Sequence, residues 1–271
     1  MSKGKKILIV IAVILLLAGL GLVLFPPISN FIGKQQADSV ADEFDESVST
    51  AVDSLNSDDG AEVKSVSDAK KHGVPVDKKG SVVDKKGKPV LFKSDLDRLY
   101  KDSIAYNKSL LKGQGTVDTV DYERKALDLS EYGITDDIYG YLTAEAIDLR
   151  LPIYLGATYY IMSFGSAHLY GTSLPVGNDV GNIAIAGHTN YVGRIFFDNL
   201  RNLQIGDRVS ITNYWEQLDY KVIGYKTVKS YEANDLLIKD GKQLLTLITC
   251  IPNSAGEFDR YLVICEREKA S

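Results

Sequence analysis

Hydrophobic residues first concentrate in an apolar run from Ile7 to Phe25, nineteen residues long. As a helix rising 1.5 Å per residue, this run would be about 28 Å long, close to the hydrocarbon thickness of a bilayer. Three lysines lie among residues 1–6, which by the positive-inside rule predicts a cytoplasmic N-terminus. A signal peptide is the alternative, but Phe25-Pro26-Pro27 stands where a small-x-small cleavage site is expected. We therefore predict an uncleaved transmembrane signal-anchor over 7–25.

Residues 26–93 are more polar and predict an extracellular stalk or linker. Within them, apolar residues recur at helical spacing over 35–55, which predicts an amphipathic helix that serves as a stalk or packs on a partner. Residues 56–73 have the composition of a linker. The sequence VDKKG then occurs twice, at Val76–Gly80 and Val83–Gly87, and predicts a small β-hairpin that turns at the second copy.

A helical extension is predicted over 94–145. Ser94 and Asp97 form a capping-box-like start, and apolar residues at helical spacing continue the pattern to about residue 111. We expect a helix over 95–111, and we consider the whole segment a possible lid over a site in the domain that follows.

From about residue 146 to 271 the pattern changes to short β-type runs separated by turns. The candidate strands are Leu149–Leu155, Asn182–Ala186, Asp207–Thr212, Gln217–Val228, Gln243–Thr249 and Arg260–Glu266. A short helix is expected over Phe196–Leu203. Many short strands with little helix predict a mostly-β domain, either a closed barrel or a sandwich.

Composition narrows the function classes. The hydrophobic share of 45% and the charged share of 25% are average for a globular protein and exclude wholesale disorder. A net charge of −5 argues against a nucleic-acid partner. Two cysteines cannot form a disulfide framework or a four-cysteine zinc site, and we expect both to be free. Neither a metal site nor a cofactor motif is predicted.

Three residues form the candidate active site. Cys250 ends the apolar strand QLLTLIT, and His188 follows the strand IAIAG at a similar position beside a loop. Arg260 opens the next strand, ten residues after Cys250, so a hairpin between adjacent antiparallel strands would place the two side by side. A cysteine with a histidine supplies a nucleophile and a proton carrier, and a nearby cation favours the thiolate and a developing oxyanion.

The other candidates have structural explanations that are more ordinary. Cys265 lies within the predicted strand YLVICERE, and its position there predicts a core residue. His168 lies in a loop-like stretch that either borders a pocket or supports packing, and His72 lies in the linker and is expected to be solvent-exposed. Asp198 and Asp259 are candidate third members of a triad, or alternatively carboxylates of a helix or turn.

These motifs together resemble the sortases, the membrane-anchored cysteine transpeptidases of Gram-positive bacteria. The resemblance rests on Thr246–Cys250 (TLITC), Ala186–Asn190 (AGHTN) and the RYLV that begins at Arg260. It implies an eight-stranded sortase-type β-barrel with short helices over 146–271. It also implies a catalytic domain outside the cell on a single-pass membrane anchor.

The resemblance further implies the role of each site residue. Cys250 would attack the Thr–Gly bond of an LPXTG-like sorting signal, His188 would act as acid and base, and Arg260 would steady the substrate or oxyanion. Thr249 and Asn190 are expected to contact the substrate. An amine, from a pilin lysine or a cell-wall peptide, would then resolve the thioacyl enzyme.

Within that family, LPIYLGA (Leu151–Ala157) and HLYGTSLPVG (His168–Gly177) resemble class C, the pilin-polymerising sortases. The ten-residue Cys–Arg interval also occurs in class B, and HTN (His188–Asn190) is closer to class A or B. The alternatives are a class A, B or D sortase that attaches proteins to peptidoglycan, a hydrolytic peptidase or L,D-transpeptidase, and a non-catalytic membrane-tethered barrel.

Overall fold

The computed structural model describes residues 3–113, 123–177 and 180–268. Its helices are α1 (Lys3–Ser49), α2 (Val66–Lys71), α3 (Lys93–Gly113) and α4 (Tyr159–Met162). Its strands are β1 (Leu55–Asn56), β2 (Glu62–Val63), β3 (Ile138–Ala144), β4 (Leu149–Leu155), β5 (Ser166–His168), β6 (Gly181–Ala186), β7 (Arg208–Asn213), β8 (Gln217–Val228), β9 (Gln243–Pro252) and β10 (Phe258–Arg267). Short 3₁₀ turns lie at Leu129–Tyr132, Glu145–Ile147, Leu200–Asn202 and Asn234–Leu236.

Within the described residues, the eight strands β3 to β10 close into a barrel in the order β10-β8-β7-β3-β4-β5-β6-β9. The pairs β4·β5 and β6·β9 are parallel and the other neighbouring pairs are antiparallel. Closure removes exposed sheet edges, which stabilises a sheet of short strands. The predicted mostly-β, eight-stranded barrel with an apolar N-terminal helix is thus confirmed. The expected helix at 196–203 is only the 3₁₀ turn Leu200–Asn202.

The anchor and the amphipathic segment, which the sequence predicts separately, form the single helix α1. In the part of the chain that the structure describes, α1 is the one helix long and apolar enough to cross a membrane. Its C-terminal half packs on the barrel: Arg150 of β4 donates to Asp42 at 2.6 Å and to Asp45 at 3.3 Å. Phe44 is buried against Tyr214, with ring centroids 4.7 Å apart. These contacts hold α1 along one side of the barrel.

The prediction that residues 56–73 form an unstructured linker is wrong, because this region folds. Strands β1 and β2 pair, and α2 follows, capped by the Ser65 hydroxyl. Val63, Val66 and Phe92 are buried in a small separate core. Each VDKKG copy forms a tight turn in which its aspartate accepts backbone N–H bonds. Local polarity predicted a linker because the few apolar residues that meet here are widely spaced along the chain.

The predicted helix over 95–111 is observed as α3. It lies against the barrel through buried polar contacts: the Tyr139 hydroxyl donates to Ser103 Oγ at 2.7 Å, and Asn107 bonds the backbone of Leu174 in both directions. Residues 114–122, which belong to the possible lid, lie outside the described residues.

Candidate active site

Arg260 and Cys250 are directly paired residues of the antiparallel strands β10 and β9. The nine residues between them close the predicted hairpin, with the turn held by the Asn253 side chain. Arg260 Nη1 donates to Cys250 Sγ at 3.3 Å. A guanidinium at this distance provides a fixed donor for negative charge that develops beside the sulfur.

His188 is brought to Cys250 by the parallel pairing of β6 with β9. The offset of 62 residues that pairs Ala186 with Ile248 also separates His188 from Cys250. The Gly187 backbone N–H donates to the Ile248 carbonyl at 3.0 Å, so the ladder continues beyond the end of β6. Neighbouring strands lie about 4.8 Å apart. This register therefore places His188, Cys250 and Arg260 in one row across three adjacent segments of the sheet.

Two hydroxyl groups fasten the His188 loop to β9. Thr249 Oγ1 donates to the Gly187 carbonyl at 2.8 Å, and Thr189 Oγ1 donates to the Cys250 carbonyl at 3.0 Å. Thr249 is 2% exposed, so the structure does not place it on a substrate-accessible surface. The expectation that Thr249 contacts the substrate therefore needs correction, because Thr249 is buried and its hydroxyl is already bonded to the Gly187 carbonyl, which positions the loop. Thr189 has the same effect and was missed by the sequence analysis.

The three residues lie on the outer wall of the barrel. Side chains alternate along a strand, and Ala186, Ile248 and Leu262 belong to a core between the outer wall and the segments that cover it. His188, Cys250 and Arg260 are each two residues from one of these and continue the same face. The inner wall instead carries Leu245, Leu247 and Cys265. The candidate site is therefore an open row at the end of β9, outside the packed barrel interior.

Aromatic rings surround the half-buried His188 side chain. Tyr191 stacks on it with centroids 5.6 Å apart, and Tyr159 lies 5.0 Å away. Burial lowers the pKa of His188 below its usual 6.5, and a hydrogen bond to the Tyr159 backbone opposes this in part. Nε2 is buried and has no hydrogen-bond partner in the described part of the chain. No side-chain or backbone partner among these residues therefore prevents Nε2 from exchanging a proton.

Asn190 and Asp198 shape the loop after His188. Asn190 adopts a left-handed conformation with φ 55°, and its exposed side chain is next to the row. Asp198 accepts from the backbone N–H groups of Asn190 at 2.7 Å and Phe196 at 3.0 Å. Asp259 instead bonds Lys229 and Asn253. Both carboxylates therefore support turns and loops. Of the two interpretations offered by the sequence, this is the structural one rather than membership of a catalytic triad.

The remaining candidates lie away from the row. Cys265 is 0% exposed within β10, where burial raises the pKa of its thiol to about 12. His168 is fully buried in β5 rather than in a loop, and burial lowers its pKa to about 4. His72 caps α2 and bonds Asp59 at 3.0 Å, and it is solvent-exposed, as expected. Both cysteines are free.

The row is suited to nucleophilic acyl chemistry. It combines a partly exposed thiol, a histidine with an unoccupied nitrogen, and a guanidinium that can stabilise an oxyanion. Within residues 3–113, 123–177 and 180–268, no three or more His, Cys, Asp or Glu side chains form a group that could hold a metal ion. Tyr159 had no signal in the local sequence, because it approaches His188 from α4, 29 positions earlier in the chain, whereas Tyr191 follows His188 by three residues in the same loop.

Comparisons with a family model, with solved structures and with a curated protein all point to the same family. A model of the sortase domain matches residues 142–268. The pilus-related sortase C of Group B Streptococcus is 31% identical, with a TM-score of 0.56 over 66% of this chain and 92% of that chain. Sortase C-1 from Streptococcus pneumoniae is 28% identical, with a TM-score of 0.58 over 67% of this chain and 93% of that chain. Sortase A of Bacillus anthracis is 25% identical over 114 residues, or 42% of this chain, and the match spans about half (52%) of that relative's length.

Proposed function

Because this chain belongs to the sortase family, we propose that it is a cysteine transpeptidase that cleaves an LPXTG-like sorting signal and joins the new carboxyl end to an amine. The observation that supports the proposal is the row of His188, Cys250 and Arg260 on three adjacent segments of the sheet, with Arg260 Nη1 3.3 Å from Cys250 Sγ.

The first half-reaction is cleavage. Cys250 Sγ attacks the carbonyl carbon of the Thr–Gly bond, and the oxyanion that develops is stabilised by the Arg260 guanidinium. As the tetrahedral intermediate collapses, the C–N bond breaks and its electron pair stays on the departing glycine nitrogen. His188, which takes the proton of the Cys250 thiol as Sγ attacks, gives that proton to the nitrogen, and the acyl group stays on Cys250 as a thioester.

The second half-reaction is transfer. The nitrogen of an incoming amine attacks the thioester carbon, and His188 removes its surplus proton. The C–S bond then breaks, an amide forms, and His188 returns the proton to the departing Cys250 sulfur. No cofactor is needed for either step. The exposed side chain of Asn190 lies next to the row and is proposed to contact the substrate.

The class C likeness favours the side-chain amine of a lysine in a pilin subunit as acceptor. Structural relatives described as pilus-related and as sortase C support this choice. The likeness to a sortase A supports the second candidate, an amine of a cell-wall peptide.

We also propose a single-pass arrangement, with residues 1–6 in the cytoplasm, 7–25 in the cell membrane and 26–93 outside it. The apolar N-terminal half of α1 and the lysines before it support this arrangement. The predicted boundary between a helical extension over 94–145 and a catalytic domain over 146–271 needs a correction: Ile138–Ala144 is strand β3, which pairs with β4 and β7, so the barrel begins at Ile138.

The decisive experiment is mass spectrometry of the full chain after incubation with LPXTG-type peptides. We expect a thioester adduct on Cys250 that an added amine releases as a ligated peptide. C250A should form no adduct, and C265A serves as the matched control that still does. Failure of every such peptide to label Cys250 would contradict the proposal and favour a non-catalytic barrel. A competition between a pilin-type lysine peptide and a wall-type peptide distinguishes the two acceptors.

A further inference from the structure

The loop that follows His188 touches α1 just after its apolar run ends. A Cβ added at Gly33 would lie 2.8 Å from the Gly193 carbonyl oxygen, and one added at Gly193 would lie 3.3 Å from Ser29 Cβ. Arg194 also donates to Gln36 Oε1 at 2.9 Å. The backbones therefore meet closely at two glycines, and a polar bond fastens the same contact.

This contact lies close to the plane where α1 would leave a bilayer. Ser29 and Gly33 follow Phe25 by four and eight helical residues, about 6 and 12 Å along the axis. The headgroup layer on each side of a bilayer is about 5–7 Å thick. Ile28, Phe31 and Ile32 are all exposed and continue the apolar surface of α1 as far as the contact. With residues 7–25 spanning the hydrocarbon core, the His188 loop would lie at headgroup depth or immediately above it.

An exposed apolar surface surrounds the loop at this depth. Val192 is 79% exposed and Ile195 is 45% exposed, and from α4 Tyr159 and Tyr160 are 71% and 72% exposed. We name these four residues the apolar rim. Tyr159 also contacts His188, so the rim borders the catalytic row directly. Tyrosines beside aliphatic side chains are typical of protein surfaces at the membrane–water interface.

We propose that the apolar rim lies in the headgroup layer of the same membrane that α1 spans, so that the row of His188, Cys250 and Arg260 works at the membrane surface. The inference rests on the anchoring proposed above and adds the orientation of the catalytic domain. The partner is the lipid bilayer, because the loop that carries Val192 and Ile195 contacts α1 through Gly193 beside the exposed Ile28 and Ile32. Lys34 and Arg194 flank the contact and suit anionic headgroups, although Lys34 is also paired with Asp148.

Fluorescence quenching by brominated lipids tests this orientation in the full chain. The one native tryptophan, Trp215, is next to Tyr214, which packs on Phe44 about 28 Å beyond Phe25 along α1, so it should not be quenched. V192W places a second tryptophan on the rim. K239W is the matched control at another exposed position: Lys239 precedes β9, which runs about 23 Å from Gln243 before it reaches Cys250.

The proteins are reconstituted in vesicles of phosphatidylcholine and phosphatidylglycerol, with and without brominated acyl chains. We expect V192W to add a blue-shifted emission that brominated lipid largely removes, whereas the emission of wild type and K239W is unchanged. Each variant is first checked for cleavage of a soluble LPXTG-type peptide, which shows that the domain is folded.

Three other results would overturn the inference. If V192W floats with the vesicles but is not quenched, the orientation is wrong while the anchoring stands. If its blue shift in bromine-free vesicles grows with the protein-to-lipid ratio, the rim is covered by a second copy. If the protein does not float with vesicles at all, both the anchoring and the orientation fail, and the soluble-peptide assay still tests the transpeptidase proposal separately.

Discussion

The barrel contains two cysteines and two histidines in contrasting places. Cys250 and His188 lie on the outer wall at the end of β9, partly exposed and beside Arg260. Cys265 and His168 are both fully buried within strands of the same barrel. Similar side chains thus occupy an open site and a closed interior.

Burial and partners, rather than residue type, separate these two regions. Cys265 has a pKa raised to about 12 because nothing compensates the loss of water, so its thiol stays protonated. His168 has a pKa lowered to about 4 for the same reason, and its Nε2 is held by the carbonyls of Thr172 and Ser173. At the open site, a guanidinium faces the thiol. Each histidine has one ring nitrogen without a hydrogen-bond partner among the described residues, but His188 is half-buried beside Cys250, whereas His168 is fully buried. Only that site combines a partly exposed thiol with a neighbouring cation and histidine.

The largest expected difference is in activity. C250A should lower the rate of transpeptidation by roughly 10⁴- to 10⁶-fold, because the covalent step is lost. C265A should leave that rate unchanged and lower the free energy of unfolding by about 1 kcal/mol, as is common for a core substitution. Peptide-ligation kinetics and chemical denaturation measure the two effects. Equal activity losses in the two variants would contradict the comparison.

A second difference should appear in thiol reactivity. With a pKa of about 12, Cys265 is about 10⁻⁴ thiolate at pH 8 and is also inaccessible. We expect iodoacetamide to alkylate Cys250 in the native protein at least about 10³-fold faster. Peptide mapping after timed quenching measures both rates, and unfolded protein, in which both thiols should react alike, is the control. Comparable native rates would mean that the Cys265 region opens readily.

Arg260 is what distinguishes the open cysteine from the closed one electrostatically. R260A should lower the rate by about 10²- to 10³-fold, since it removes an oxyanion donor. R260K keeps the charge without the planar fork and should recover part of that loss. Single-turnover acylation of Cys250 is the measurement. A full rate in R260A would limit the role of Arg260 to strand packing.

The smallest expected effect concerns His168 and stability. Between pH 6.5 and about 4 the unfolded state binds a proton at this histidine and the folded state does not. The free energy of unfolding should therefore fall as pH drops through this window, by at most about 1.4 kcal/mol per pH unit from this group. H168Q should flatten the slope, measured by urea denaturation at several pH values. An identical slope in H168Q would show that His168 does not stay neutral in the folded protein.

Local pattern predicted much of the fold. The apolar run, the helix over 95–111 and most barrel strands follow from periodicity and turn residues, and the Cys250–Arg260 pairing follows from one short hairpin. The folded region around residues 55–71 and the strand position of His168 did not follow, because each depends on contacts between distant segments. The burial of Thr249 could not be predicted for the same reason, since its bond to Gly187 joins residues that are 62 positions apart in the sequence.

The sequence by itself determined the membrane-length helix, the β-rich domain and the residue types that could carry acyl transfer. These depend on composition, spacing and short-range geometry, which a linear pattern records. Only the tertiary structure decided which cysteine meets which histidine, because the parallel register of β6 and β9 sets that pairing. It also decided that α1 meets the His188 loop at Gly33 and Gly193, a contact between residues 160 positions apart that depends on how the helix packs against the closed barrel.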